Sequence, residues 1–308
     1  MNASRIVLAA GLLLFGLVPA LAALPPGETL PQFEKANADW RAWRLQRLTA
    51  ADGWLTLIGL DWLEPGDNRL GSCAACKLHL PADKAPAELG TIRLEEGAAT
   101  LLPRPGTSLT ADGKPVAGPL RLATDAQGDP TALELGSLDF YVIQRGAKLG
   151  LRVRDRDADL RLHFPGLDYF PPDPNARVVA KFTPNPPGTT LPVVDIVGVT
   201  EQMPSPGKLT FELQGQTFTI TALDDTGDGR LYLIVGDQTN VRETYGGGRF
   251  LYADPPRDGV TVVDFNRAYN PPCAFTPYST CQLPPRENRL PIRIEAGEKR
   301  FADEAGHP

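Results

Sequence analysis

The first clear pattern in the chain is a helical spacing of apolar side chains, which recur every three or four residues near the N-terminus. They are Phe33, Ala36, Trp40 and Trp43. Thr29 and Gln32 form a capping-box pattern before this run, and Asp52-Gly53 is typical of a helix end. The pattern predicts a helix from about residue 31 to 49 in an N-terminal segment 23–52. Both tryptophans are expected to dock the helix on the body; an aromatic platform for a ligand is the alternative.

From Gly53 onward the apolar residues form short β-type runs separated by glycine, proline or Asp-Gly turns. Trp54–Ile58 and Thr91–Leu94 are examples, and Asp112-Gly113 is one of the turns. Many short strands at this spacing are typical of a sandwich or barrel. The sequence therefore predicts a mainly β fold, with a small β-sandwich over residues 53–145.

A second β-unit is predicted over residues 146–308, as a second sandwich or a barrel-like unit. Leu138–Arg145 and Leu149–Arg154 flank a short turn and predict a hairpin. Leu160–Phe164 alternates between apolar and polar residues and predicts a strand, and the runs from Val193 to Val235 predict a β-meander.

The first 22 residues resemble an export signal. Arg5 precedes an apolar run from Ile6 to Val18, and Ala20-Leu21-Ala22 fits a cleavage site. The run is shorter than the ~20 apolar residues that a membrane-spanning helix needs. We therefore predict a signal peptide over residues 1–22, cleavage after Ala22, a periplasmic or secreted protein, and no membrane association afterwards.

Charge and composition narrow the classes of partner. Without the signal, 30 basic residues face 37 acidic ones, a net charge of −7. This acidic balance argues against nucleic acid and against anionic lipid as partners. The chain contains no motif that predicts a cofactor. The 31 prolines, without any low-complexity tract, predict many ordered and extended loops. A small polar ligand remains the expected partner, and the oligomeric state stays open.

Four cysteines in an exported protein favour disulfides. Their positions form two local pairs, which predicts the disulfides Cys73–Cys76 and Cys273–Cys281. Cys73, Cys76 and His79 could alternatively supply three zinc ligands, but a fourth is missing and no metal site is predicted.

Two further motifs favour turns over binding sites. Asp224–Gly229 resembles the start of a calcium loop, but Val235 occupies the position of the bidentate glutamate, so a hairpin turn is the better prediction. Thr244–Arg249 is glycine-rich without the lysine of a phosphate-binding loop; backbone N–H groups with Arg249 could bind an anion, and a flexible turn is the simpler alternative.

The best candidate for a functional site is a polar, proline-rich segment bracketed by predicted strands at Val260–Phe265 and Leu290–Ile294. Irregular polar segments stiffened by proline are typical of binding loops. The segment predicts either a polar ligand pocket or a buried polar network. The pocket would be built from Arg249, Asp264, Asn266, Arg267, Tyr269 and Asn270.

Three functions are compatible with this segment, and the sequence leaves open whether the protein is an enzyme. The first is binding of a small polar ligand. The second is a periplasmic hydrolase acting on an envelope carbohydrate or ester, with Asp264 as general base and Tyr269 or Arg249 as an electrophilic aid. The third is a structural or interaction module. No Ser-His-Asp arrangement is indicated by the three histidines.

The segment also carries a resemblance. The run Val263-Asp-Phe-Asn-Arg-Ala-Tyr-Asn-Pro-Pro-Cys273, followed by Cys281 and Leu283-Pro-Pro-Arg-Glu-Asn288, closely resembles the signature of a bacterial family, domain of unknown function 1684. That resemblance implies no catalytic residues. Asn68–Ser72 and Asp112-Gly-Lys114 resemble the strand layout of forkhead-associated domains. Their Ser-Arg-x-x-His motif for phosphothreonine is missing, so this resemblance implies fold only.

Overall fold

The structure, a computed structural model, describes residues 28–301. It is mainly β with one long N-terminal helix, which confirms the predicted fold class. The predicted signal peptide lies outside the described residues. Within residues 28–301, no helix combines the length and apolar character needed to cross a membrane.

The N-terminal helix α1 spans Leu30–Leu48. Gln32 Oε1 accepts a hydrogen bond from the Thr29 backbone N–H at 2.7 Å, so the predicted capping box starts the helix. The buried residues are Phe33, Asn37, Arg44 and Leu48. The expectation that both tryptophans dock the helix was wrong, since Trp43 is 56% exposed. The buried side of α1 carries Arg44 in place of Trp43, and Arg44 pairs with the buried carboxylate of Glu298.

Two sheets form the first β-unit, a sandwich. Its strands are β1 (Leu57–Trp62), β2 (Gly66–Gly71), β3 (Leu78–His79), β4 (Gly90–Glu95), β5 (Ala98–Pro103), β6 (Thr110–Ala111), β7 (Lys114–Pro115), β8 (Leu120–Leu122), β9 (Leu133–Leu135), β10 (Leu138–Arg145) and β11 (Lys148–Asp155). One sheet has the order β1-β11-β10-β9-β6-β7 and the other β3-β2-β4-β5-β8. Alternate residues of both sheets, such as Ile92 and Phe140, share one apolar core.

The hairpin β10–β11 belongs wholly to this sandwich. Arg145 pairs with Lys148 at its turn, and β11 also pairs with β1 along its other edge. The structure therefore includes residues 148–155 in the first unit, beyond the boundary expected at residue 145. A boundary at residue 145 would cut a hairpin whose two strands share one ladder.

The second β-unit combines a four-stranded sheet with a separate hairpin. Its strands are β12 (Arg177–Pro184), β13 (Thr190–Val194), β14 (Thr200–Pro204), β15 (Gly207–Leu213), β16 (Gln216–Ala222), β17 (Leu231–Val235), β18 (Arg249–Ala253) and β19 (Val260–Asp264). The sheet order is β16-β15-β12-β19, and β17–β18 packs across it on a common core. The isolated bridge Leu223–Tyr232 joins the two pieces. β13–β14 is a further hairpin.

A third apolar cluster lies between α1, the outer face of β17–β18 and the proline-rich segment. Tyr232, Ile234 and Phe250 point into it, together with Leu48 from the helix and Phe275 from the segment. The cluster is what fixes the position of the candidate site relative to the helix.

Two predicted strands are absent from the described part of the chain. Asp159–Leu162 is a short helix, α2, in place of the strand predicted over Leu160–Phe164. Leu160, within this helix, and Phe164, two residues beyond its end, both pack against the third cluster, while Leu162 stays 55% exposed. The Leu290–Ile294 run forms no strand: the chain bends at Pro291 and Ile292, and its contacts to 236–238 are separate hydrogen bonds, from Leu290 N–H to the Gly236 carbonyl and from Gln238 N–H to the Ile292 carbonyl.

Candidate functional site

The polar segment begins where β19 ends, in a tight turn that Asp264 caps. Asp264 Oδ1 accepts hydrogen bonds from the Asn266 backbone N–H at 3.1 Å and from its Nδ2 at 2.9 Å. Asn266 Nδ2 also donates to the Asp173 carbonyl at 2.9 Å, and its Oδ1 accepts from the Asp173 N–H at 2.8 Å. The Asn266 side chain therefore joins two loops and has no free polar group for a ligand.

Arg249 is turned into the protein. It has no exposed surface, and its Nη2 donates to Asp237 Oδ2 at 2.7 Å and to the Ile294 carbonyl at 3.0 Å. Its Nη1 donates to the carbonyls of Ala296 and Glu298. Burial lowers the pKa of Arg249 from its usual value. Arg249 therefore lies away from the other predicted site residues. Its hydrogen bonds hold the backbone of residues 294–298 in place.

Asn270 belongs to a second buried network, which attaches α1. Its backbone N–H donates to Glu298 Oε2 at 2.8 Å, and its carbonyl accepts from Arg44 Nη2 at 3.0 Å. Arg44 Nε donates to Glu298 Oε1 at 2.7 Å. The side chains of Arg44 and Glu298 are 5% and 0% exposed. Asn270 thus connects the helix to the C-terminal segment.

The other two predicted residues, Arg267 and Tyr269, line a cavity of about 470 Å³ that we call the aromatic cleft. It lies between α1, the turn after it and the second β-unit. Its walls combine aromatic rings with guanidinium groups and one exposed carboxylate, that of Asp254. The rings are those of Trp40, Trp43, Trp54, Tyr252 and Tyr269, and the guanidinium groups are those of Arg44, Arg47, Arg230 and Arg267.

Trp54 and Tyr269 lie next to each other in this wall, on either side of the Arg44 guanidinium. Their ring centroids are 6.2 Å apart, and the guanidinium carbon of Arg44 lies 5.0 Å from the Trp54 ring and 4.7 Å from the Tyr269 ring. Arg230 lies over Tyr252 at 4.8 Å. Cation–π contacts of this kind hold ring and cation in fixed relative positions. Burial raises the pKa of Tyr269, so its phenol remains a neutral hydrogen-bond donor.

Arg267 is held at the cleft by a carboxylate. Asp264 Oδ2 lies 3.6 Å from Arg267 Nε and 3.9 Å from Arg177 Nε. Among the described residues, Arg267 Nε has no hydrogen-bond partner although it is shielded from solvent. Asp264 lines none of the cavities described here; its place is behind the cleft, where it positions Arg267.

A second cavity of about 250 Å³, the arginine cavity, shares Trp54, Tyr252 and Tyr269 with the aromatic cleft. β11 contributes Arg152 and Arg154 to it, and both have a buried Nε without a hydrogen-bond partner in residues 28–301. This cavity therefore presents donors that a bound anion could satisfy.

Asp225 is the carboxylate of the arginine cavity. Burial raises its pKa, against the effect of the hydrogen bond that it accepts from the Tyr252 hydroxyl. Although Asp225 keeps part of its surface exposed, a carboxyl with a raised pKa is protonated more readily than one at its ordinary value, as an acid–base group requires.

A wider cavity of about 730 Å³ lies elsewhere, between Asp173, Glu212 and Glu295. Its lining contains no aromatic side chain and none of the predicted site residues. Because ligand sites combine apolar contact with a few placed polar groups, the aromatic cleft is the better candidate.

The two cysteine pairs differ in oxidation state. Cys73 and Cys76 form a disulfide, as predicted. His79 lies next to it but contacts Asp61, and residues 28–301 contain no cluster of three His, Cys, Asp or Glu side chains placed to hold a metal ion. Cys273 and Cys281, predicted to be bonded, are instead buried free thiols. They lie side by side because each sulfur accepts a hydrogen bond from the backbone N–H of the other residue.

Sequence reasoning missed Trp54, Tyr252 and the β11 arginines as parts of a site. Arg152 and Arg154 alternate with apolar residues on β11, which marks them as facing away from the sandwich core. The alternation shows on which face of the sheet the two arginines lie. It does not show that the second β-unit covers that face. Trp54 immediately follows the helix stop, and its position depends on how α1 docks.

Comparison with known proteins agrees with the family resemblance of the polar segment. The family model described as "Protein of unknown function (DUF1684)" matches residues 162–299. No curated protein matches the chain. An uncharacterized protein from gene locus rrnAC0354 of Haloarcula marismortui, solved by NMR, is 34% identical; the match covers 45% of this chain and 78% of that chain, with a TM-score of 0.38.

Solved forkhead-associated domains also match part of the chain. A domain from a study of phosphothreonine-dependent FHA interactions is 21% identical, covering 31% of this chain and 92% of its own, with a TM-score of 0.22. The FhaA FHA domain complexed with the intracellular domain of Rv3910 is 20% identical, covering 31% and 97%, also at 0.22. Given the family match over the polar segment, the chain belongs to the DUF1684 family of proteins of unknown function.

Proposed function

We propose that the protein binds a small anionic ligand that carries a ring, with the ring against Trp54 and Tyr269 and the anionic group near Arg267. The observation that carries this proposal is the Arg267 guanidinium, which is 39% exposed, lines a cleft walled by aromatic rings and lies 3.6 Å from its carboxylate partner, beyond hydrogen-bond distance. Sugar acids and sugar phosphates have this chemistry, since the apolar face of a sugar ring packs on aromatic rings while its charge pairs with arginine.

The cleft favours a charged ligand over a neutral one. Arg44, Arg47 and Arg230 each have an acidic partner nearby, but Asp264 is shared between Arg177 and Arg267 and lies more than 3.5 Å from both. Arg267 is therefore the guanidinium with the most capacity left for a ligand. A hydrogen bond between charged groups contributes about 1.5–3 kcal/mol, or roughly tenfold or more in affinity.

Binding can be tested by tryptophan fluorescence, because Trp40, Trp43 and Trp54 all line the cleft. The probes are glucuronate and glucose 6-phosphate, with glucose as the uncharged counterpart. We expect the charged probes to quench fluorescence and raise the melting temperature more than glucose does. Arg267→Gln should weaken binding about tenfold or more.

Two control variants separate the cleft from general effects. Trp62→Leu changes a tryptophan of β1 outside the cleft, and Arg93→Gln changes an exposed arginine of β4. Both should leave the affinity unchanged, whereas Trp54→Leu should lower it. Equal affinity for charged and uncharged probes, or equal loss in the control variants, would refute the proposal.

A hydrolase acting on a carbohydrate or ester is a second candidate function. Asp225 is a better candidate for its acid–base group than Asp264. Asp225 combines a raised pKa with a position in the arginine cavity. The test uses 4-nitrophenyl acetate and 4-nitrophenyl glycosides. Turnover that Asp225→Asn abolishes while the glucuronate affinity stays unchanged supports the enzyme; turnover equal to buffer in both proteins argues against it.

We also propose export to the periplasm or beyond, on the strength of the sequence from Arg5 to Ala22. Intact mass of the protein isolated from its host should then correspond to a chain that begins at Ala23. A chain that retains the first 22 residues would contradict this.

A further inference from the structure

We propose that Cys273 and Cys281 form a thiol–disulfide exchange site, with Cys273 as the attacking thiol, Cys281 as the resolving thiol and a small or peptide-borne disulfide as substrate. This activity is separate from ligand binding in the aromatic cleft, and it uses residues that neither proposed function needs.

The two thiols are already close enough to join. Cys281 Sγ lies 3.1 Å from Cys273 N, and Cys273 Sγ lies 3.3 Å from Cys281 N. Because N and Cα of one residue are about 1.46 Å apart, each sulfur is within about 4.8 Å of the other residue's Cα. That spacing suits a disulfide without a large backbone movement.

Cys273 is the thiol that an incoming disulfide can reach. It lines a cavity of about 270 Å³ together with Tyr245, Phe275 and Ser279. Ile196 and Val197, which are 47% and 39% exposed, also line this cavity. Its walls are mostly apolar, so it suits a disulfide with apolar neighbours. Cys281 lines the arginine cavity instead and is not part of this wall.

The surroundings of Cys273 favour its thiolate. Hydrogen bonding from Cys281 is the main cause that lowers the Cys273 pKa to about 7, with Ser279 Oγ 3.2 Å away and Arg152 nearby as further causes. Burial, followed by the neighbouring Cys273, raises the pKa of Cys281. Tyr245 packs against the pair, and burial keeps it neutral by raising its pKa. A thiol with a pKa near ambient pH is the best attacking thiol.

The chemistry balances without a general base. The Cys273 thiolate attacks one sulfur of R–S–S–R, a Cys273–S–S–R bond forms, and RS⁻ leaves and takes up a proton. The Cys281 sulfur then attacks Cys273 Sγ and the Cys273–S–S–R bond breaks; the Cys281 proton passes to the departing sulfur, so the second group leaves as RSH. Two thiols are oxidised to the Cys273–Cys281 disulfide while the substrate is reduced to two RSH. No histidine is needed for this exchange. His79 contacts Asp61, and His163 contacts Asp159.

The test uses oxidised glutathione at pH 7 with the full chain reduced at Cys273 and Cys281, in a Cys73→Ala/Cys76→Ala background that removes the other pair. We expect the protein to form an internal disulfide. Cys281→Ser should instead retain one glutathione on Cys273, and Cys273→Ser should retain none. Serine is chosen because its hydroxyl can still donate the hydrogen bond that Cys281 provides.

The pH dependence supplies an independent readout. Alkylation of Cys273 by iodoacetamide in Cys281→Ser should have its midpoint near pH 7, and Ser279→Ala should move the midpoint upwards. In the unfolded protein the midpoint should lie near about 8.5, so the folded protein should react about tenfold faster at pH 7. Thiols that react only after unfolding, or a glutathione adduct on Cys281 but not on Cys273, would overturn the assignment.

Discussion

Arg249 Nη2 donates a hydrogen bond to Asp237 Oδ2 at 2.7 Å, and neither side chain has any exposed surface. The same guanidinium donates to three carbonyls of the 294–298 segment. Among the described residues that segment has only the single bridge between Tyr169 and Glu298, and buried carbonyls without partners are costly. Arg249 therefore replaces a missing strand partner, which explains why a long cation is fully buried here.

Replacing Arg249 by methionine should strongly destabilise the fold. The variant leaves Asp237 charged, buried and unpaired, and it leaves the three carbonyls without a donor. Breaking a buried pair from one side costs about 3–5 kcal/mol. Urea unfolding should show this as a large fall in the midpoint. Arg293→Gln, in the same segment but half-exposed, should have a midpoint close to that of the parent protein. Similar midpoints for both variants would contradict the role given to Arg249.

The Arg44–Glu298 pair should control the docking of α1. Arg44→Met removes the donor that holds Glu298 and the Asn270 carbonyl. We expect faster proteolysis within α1 and a red-shifted tryptophan emission, because Trp54 packs against the Arg44 guanidinium. Arg47→Gln, one turn further along the same helix and half-exposed, is the matched control. If both variants are cleaved at the parent rate, the helix is held by its apolar contacts alone.

Asp225 and Asp228 should affect stability with opposite dependence on pH, although they lie in one loop. Burial raises the folded-state pKa of Asp225, so its stabilising contribution is present below the unfolded pKa and is lost as the pH rises through the folded pKa. Hydrogen bonds from Arg230 lower the pKa of Asp228, so its contribution is lost as the pH falls.

Urea unfolding between about pH 2 and 7 tests this difference, because a lowered aspartate pKa titrates below about 3.9. The stability of Asp225→Asn relative to the parent should increase as the pH rises, whereas that of Asp228→Asn should decrease. Parallel curves for the two variants would mean that Asp225 is not desolvated in the folded protein.

Gly297→Ala should destabilise more than Gly259→Ala, although both glycines have φ close to +78°. A Cβ at Gly297 would lie 2.4 Å from the Ala268 carbonyl oxygen and 2.8 Å from that of Phe265. At Gly259 nothing lies within 4 Å. The positive φ alone costs roughly 1–2 kcal/mol for an alanine. Calorimetry should therefore show a modest fall in melting temperature for Gly259→Ala and a clearly larger one for Gly297→Ala; equal falls would exclude the close approach.

Local signals in the sequence were sufficient for much of the fold. The capping box of Thr29 and Gln32 starts α1 as predicted, and Asp224–Gly229 connects β16 to β17 as the turn motif indicated. Leu160–Phe164 has an apolar residue at every second position, which fits a strand, but its first three residues lie in the short helix α2. Periodicity cannot separate the two over so short a run.

The candidate site was predictable only in part. Arg267 and Tyr269 reach the aromatic cleft, but Arg249 and Asn270 lie in buried networks whose partners are distant in sequence. Arginine is seldom fully buried, so nothing local marked Arg249 as internal. The distinction between a pocket and a polar network depends on which carboxylates and carbonyls the fold brings close, and no spacing rule contains that information.

The Arg44–Glu298 pair joins residues that are 254 positions apart. A ribosome adds about 5–20 residues per second, so the helix that is made first must wait many seconds for the carboxylate that anchors it. Until then α1 has no buried counter-charge for Arg44 and cannot settle on the body. We therefore expect the attachment of α1 to be a late event, in which the beginning and the end of the described chain come together.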